Sequence, residues 1–202
     1  MKSLVSLAGS LALCAIASSS AWAAVLFLEP ADSTTTPGGS VSIDVMISGL
    51  GAGSPPSVGA FDLTLAYEPE LLQLTGAGFG ALLGDPDLEA VTSIVPSAGS
   101  INLAEISLLD PAVLDALQGS SFSLATLTFQ AIGPGTAHLA FADALVGDAF
   151  GSVVPIDAFR GATIAVGTTS PIPEPNTRPL YLIGAAVALV YIAKSGGQRA
   201  MK

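Results

Sequence analysis

Two stretches of this chain alternate apolar and polar residues with a period of two. Val41, Ile43, Val45 and Ile47 take turns with Ser42, Asp44, Met46 and Ser48, and Phe61, Leu63, Leu65 and Tyr67 with Asp62, Thr64 and Ala66. Successive side chains of a strand point to opposite faces, so this rhythm describes strands with one face in a core and one in water. Further strand candidates are Val25–Leu28, Leu72–Gly76, Val91–Val95, Ile101–Ser107, Phe122–Ala131, Thr136–Phe141, Val153–Ile156 and Thr163–Val166. Within Phe122–Ala131 the apolar phase shifts between Leu124 and Leu127, which predicts a bulge near Ala125 or Thr126. Gly/Pro clusters such as Thr36-Pro37-Gly38-Gly39, Gly49–Pro56 and Gly133-Pro134-Gly135 separate the runs. One helix is signalled: Asp110 as N-cap, Pro111 at the first helical position, and Gly119 after the run Ala112–Gln118. About ten short strands and one small helix predict an all-β sandwich.

The ends of the chain read differently from its middle. Lys2 is a minimal positive start, Leu4–Ala17 is an apolar h-region, and Ala21-Trp22-Ala23 is an A-x-A site, so residues 1–23 read as a signal peptide that signal peptidase removes before Ala24. Cys14 lies inside the h-region behind Leu13 rather than a small residue, which argues against lipidation. Cleavage removes the single Cys and the single Trp of the sequence. What remains has no disulfide, thiol nucleophile or thiolate metal site, and must be held by packing. Its length suits one core.

Between Ala24 and Ser170 fifteen Asp and Glu face one Arg, Arg160, leaving fourteen negative charges uncompensated and no Lys. Nucleic acid needs a Lys/Arg surface and is excluded as a partner; anionic lipids and polysaccharides are disfavoured for the same reason. Cations, proteins and neutral glycans remain.

After the exported segment comes a Pro-rich linker, residues 169–179, containing Pro173-Glu174-Pro175. It leads to the apolar run Leu180–Ala193 and a basic tail, residues 194–202, with Lys194, Arg199 and Lys202. As a helix the fourteen-residue run would be about 21 Å long against a ~30 Å hydrocarbon core, a marginal transmembrane helix that Arg178 and Lys194 can extend by snorkelling. The basic end favours the cytoplasm and leaves the acidic segment outside. Spacer, motif, span and basic end together resemble the PEP-CTERM sorting signal of Gram-negative bacteria. The resemblance implies cleavage near Pro173, Glu174 and Pro175 by an exosortase-type enzyme, and transfer from a transient membrane anchor to the cell surface or extracellular matrix.

Residues 24–168 carry a second resemblance. Gly59-Ala-Phe-Asp-Leu-Thr-Leu-Ala-Tyr-Glu-Pro-Glu-Leu-Leu72 is similar to the early strand and Tyr-Asp-Pro-x-x-Leu turn of cohesin domains, with Glu68 in place of the usual Asp. Phe122–Ala131 followed by Gly133-Pro134-Gly135 resembles a second cohesin hallmark, and Asp148–Val166 the closing hairpin, where Gly-x-x-x-Pro leads to the last strand. The implied fold is a jelly-roll-like antiparallel β-sandwich of the kind shared by cohesins, which bind dockerin modules, and by some carbohydrate-binding modules. Without the family, Tyr67-Glu68-Pro69 reads as a structural corner: Tyr67 closes the inward register, Pro69 stops the ladder, and Leu71 and Leu72 re-enter the core.

Chemistry is sparse. The single His138 sits between inward-phased Ala137 and Leu139 and points outward. No Ser lies in a Gly-x-Ser-x-Gly elbow. One His does not make a His-based zinc site. The chain therefore reads as no enzyme. Asp85-Pro86-Asp87-Leu88-Glu89 opens like an EF-hand loop, but Ala90 stands at the sixth position and Pro96 at the twelfth. A looser calcium site would draw on Asp143, Asp148 and Asp157; no other cofactor is indicated. Of the aromatics, Phe79, Phe150 and Phe159 fall in loop-like contexts, while the rest read as core, so no flat sugar-stacking strip is evident. The expectation is an exported adhesive or structural module, binding a matrix protein or glycan, with a dockerin receptor and a carbohydrate-binding module as the alternatives.

Overall fold

The alternating stretches fold as their period dictates. The computed structural model of the chain describes residues 24–168; the signal segment, the Pro173-Glu174-Pro175 motif and the Leu180–Ala193 run lie outside them. The elements are β1 (Ala24–Glu29), β2 (Asp32–Thr35), β3 (Ser40–Ser48), β4 (Val58–Ala66), β5 (Leu72–Phe79), β6 (Ala90–Ser97), β7 (Ser100–Ser107), α1 (Pro111–Leu117), β8 (Ser121–Ala131), β9 (Gly135–Asp148), β10 (Ile156–Arg160) and β11 (Ala162–Val166). A short 3-10 turn, Ala81–Leu83, links β5 to β6. They form a sandwich of a five-stranded sheet, β10-β1-β3-β8-β5, and a six-stranded sheet, β2-β11-β9-β4-β7-β6. Ile43, Val45 and Ile47 of β3 and Leu63 and Leu65 of β4 are buried, each burial stabilising by ~1.5–3 kcal/mol relative to exposure. Leu26, Ile101, Leu127 and Phe129 join them in one core. Among the described residues no helix is long and apolar enough to cross a membrane.

The bulge in β8 falls at Leu124, one residue earlier than the phase shift suggested: Met46 pairs with Ser123 and Val45 with Ala125. The extra residue lets both Leu124 and Ala125 face the core. The Tyr67 corner forms as read. Tyr67 packs edge-on against Phe129 at 5.1 Å, its hydroxyl donates to the Ser97 carbonyl at 3.2 Å, and Leu71 and Leu72 N–H groups close the turn on the Glu68 carbonyl. Glu68 has a further task that the sequence does not announce: its Oε2 accepts the His138 N–H at 2.7 Å.

Three expectations are corrected. The sheets are mixed rather than antiparallel, because β1 pairs with β10 and β2 with β11 in parallel. Asp148–Val166 is therefore not a hairpin: the chain turns back at Gly147–Val153, and of the predicted Val153–Ile156 strand only a bridge at Val153 and the first residue of β10, Ile156, form. From there β10 joins one sheet and β11 the other. At the crossing, Gly161 is required for close approach, since a Cβ there would lie 2.2 Å from the Leu139 carbonyl oxygen. Third, Asp110 precedes α1 with extended backbone but its side chain makes no capping hydrogen bond. The opposite, C-terminal end of the helix is tied down by Gln118. Its amide is buried and bonds the Val58 N–H at 2.7 Å, the Val58 carbonyl at 2.8 Å and the Leu82 carbonyl at 3.1 Å, fixing α1 across one end of the sandwich.

Candidate functional site

The pairing of β6, β7, β4 and β9 sets outward side chains in rows across the six-stranded sheet. Val91, Ile106, Ala60 and Gly147 make one row; Ser93, Ala104, Asp62 and Leu145 the next; Val95, Asn102, Thr64 and Asp143 a third. Small residues at Ala60, Ala104 and Gly147 leave a dip between larger ones. The result is a groove of about 300 Å³ walled by Ile106, Leu145 and Val153, with Asp62 and Asp148 at its margin. These apolar walls are exposed: Ile106 by 54%, Leu145 by 56% and Val153 by 68%. Exposed apolar surface clustered in a groove and rimmed by polar groups is characteristic of a protein contact site.

Local chemistry keeps the groove in shape. Asn102 Nδ2 donates to Asp62 Oδ1 at 2.6 Å and to Thr64 Oγ1 at 3.2 Å, tying β7 to β4 beside the apolar rows. At the groove's end Asp148 Oδ1 accepts the N–H groups of Phe150 at 2.9 Å and Ser152 at 2.8 Å. That turn carries Val153 to the groove and leaves Phe150 at its tip, as its loop context suggested.

Asp148 is thus engaged in shaping a turn. Asp143 lies opposite Thr64 on the outer face, and Asp157 sits in β10 of the other sheet. The structure does not gather the three carboxylates into one site, and among the described residues no group of three or more His, Cys, Asp or Glu could hold a metal ion. Asp85 Oδ1 accepts the Asp87 N–H at 2.9 Å, and the Asp85 carbonyl accepts those of Leu88, Glu89 and Ala90, so this segment is a turn closed on itself. His138 is exposed on β9 as its phase required. Phe79 departs from its loop reading: it lies in β5, partly buried, 6.0 Å from Phe61. Phe159 lies in β10 and remains 52% exposed.

Pairwise register also shows what the sequence reading passed over. Glu105 falls in the inward phase of β7, after Ile101 and Leu103, opposite Phe61. It is fully buried, neither carboxylate oxygen has a hydrogen-bond partner, and desolvation raises its pKa from 4.5 to about 7. The period-two pattern contained this signal, a charge in an apolar phase.

No family model matches the sequence, and neither does any curated protein. Solved structures do match the fold. The sixth cohesin of Acetivibrio cellulolyticus scaffoldin B, in complex with a mutant Cel5 dockerin, is 17% identical with a TM-score of 0.57, over 71% of this chain and 99% of that one. The cohesin of a Clostridium thermocellum type I cohesin–dockerin complex, OlpC, is 13% identical with a TM-score of 0.59, over 73% and 95%. The non-cellulosomal cohesin of the archaeon Archaeoglobus fulgidus is 16% identical with a TM-score of 0.55, over 73% and 92%. Residues 24–168 of this chain therefore have the fold of a cohesin domain.

Proposed function

We propose that the chain is an exported, non-catalytic binding module. Its outer six-stranded face takes a protein partner of the dockerin kind, and its C-terminal PEP-CTERM signal delivers it to the cell surface or matrix. The observation that carries the binding reading is the exposed apolar groove of Ile106, Leu145 and Val153 on a domain with otherwise strong negative charge. Apolar anchors at the centre with carboxylates at the rim match the layout of a docking face. Cohesin-like neighbours solved with dockerins support the choice of partner. The single His138 and the lack of a Gly-x-Ser-x-Gly elbow in the sequence support a non-catalytic role.

The test is calorimetric titration of the full chain with a panel of purified dockerin modules. Binding that falls by about 30-fold, ~2 kcal/mol, in Ile106→Asp and in Leu145→Asp, with the melting temperature kept, supports the reading. No binding across the panel, or binding indifferent to both substitutions, overturns it. The sorting reading is checked separately by intact mass of protein recovered from cells and from medium: a chain ending near Pro173–Pro175 supports exosortase processing, and one retaining Lys202 sinks it.

A further inference from the structure

A second cleft, with no lining residue in common with the docking groove, lies where β9 and β10 approach each other across the two sheets. Phe141 pairs in register with buried Leu65, and Phe159 with buried Leu26, so each ring belongs to the inward phase of its own sheet. They meet there with centroids 5.7 Å apart and planes tilted by 45°. A bulge adjoins them: Leu65 pairs with Phe141 and Thr64 with Asp143, leaving Ala142 without a partner. Bulges re-aim side chains and are enriched beside sites. The cleft, about 290 Å³, is lined by Phe141, Ala142, Asp143, Ala144 and Phe159, at the small end of ligand pockets.

We infer that this cleft is a binding site for a neutral sugar unit. A pyranose has flat C–H faces and a hydroxyl rim, and the cleft offers both counterparts. The half-exposed Phe159 ring presents an apolar face without a cost of folding it away. The methyl groups of Ala142 and Ala144 leave room beside it. Asp143 Oδ1 already accepts the Ala144 N–H at 2.9 Å, which fixes the carboxylate and leaves its second oxygen to accept sugar hydroxyls. Neutrality follows from charge. No cationic side chain lines the cleft, and the fourteen uncompensated negative charges between Ala24 and Ser170 repel uronic or sulfated sugars. The site shares no residue with the docking groove, so it stands or falls independently of the dockerin reading.

The experiment titrates the full chain calorimetrically with cellohexaose, mannohexaose and, as the anionic comparison, hexagalacturonate. Binding of a neutral hexasaccharide with Kd on the order of 1 mM, and none of hexagalacturonate, is expected. Phe159→Ala and Phe159→Leu should each weaken it by about tenfold, Leu because it keeps apolar bulk but not the ring, and Asp143→Asn should weaken it with the melting temperature unchanged. No binding of either neutral probe, preference for hexagalacturonate, or affinity untouched by both Phe159 substitutions in folded protein would overturn the inference.

Discussion

Glu105 sits in a strand phase built for Leu or Ile, with both oxygens unpartnered. Its folded-state pKa, about 7, lies above the value near 4.5 that governs the unfolded chain. Folding therefore favours the neutral acid, and the domain holds Glu105 at no ionic cost below pH ~4.5. That advantage drains away as pH rises from ~4.5 through 7 and is gone above it, a difference of about 3 kcal/mol. Glu105→Gln should remove this component. Melting curves at pH 5 and pH 8 should show a smaller drop for the variant than for the parent, and the variant should be the more stable of the two at pH 8. Equal drops would mean that the carboxyl finds water or a partner once ionised. The same position shows what residue-level reading delivers. A charge in an apolar phase was visible in Ile101, Leu103, Glu105, whereas the sharing of Glu68 Oε2 with the His138 N–H depends on two segments seventy residues apart meeting.

At the scale of elements, strands were legible wherever apolar residues alternate, as in β3 and β4, because burial on one face imposes the period. β2, Asp32-Ser33-Thr34-Thr35, carries no such period, and its identity as a strand comes from its ladder with β11. Parallel pairing was illegible for the same reason: which strand lies beside which is a property of the assembled sandwich. The candidate groove fared likewise. Ala60, Ala104 and Gly147 are ordinary small residues in outward phases, and only the register across β9, β4 and β7 turns them into a dip. The crossing between β10 and β11 is the element-scale feature most exposed to substitution. Gly161→Val would drive a branched side chain into the Leu139 carbonyl, so the strand junction must open. A loss of ~1–3 kcal/mol is expected, the range of a forced backbone shift in a packed site, read as a lower urea midpoint with unchanged slope. A neutral outcome would show that the junction has slack that the close approach denies.

For the molecule as a whole, charge and strand order matter most. Between Ala24 and Ser170 one Arg faces fifteen carboxylates, and like charges held on one small sandwich repel. Raising sodium chloride from about 10 mM to about 0.5 M shrinks the Debye length from ~30 Å to a few Å. The melting temperature should therefore rise with salt, contrary to a domain stabilised by surface ion pairs, and a fall would indicate that attractive pairs dominate. The paired crossings β1–β2 and β10–β11 have a bearing on how the domain carries load. Its first two strands lie beside its last two, β1 along β10 and β2 along β11, each pair running in the same direction, and the Gly167 N–H still bonds the Thr35 carbonyl beyond the second ladder. Tension applied between Ala24 and Thr168 in opposite directions would slide these neighbours lengthwise, so that many hydrogen bonds resist together instead of opening one by one like a zip. A domain built this way is a clasp that withstands pulling along its ends better than prying across its edges.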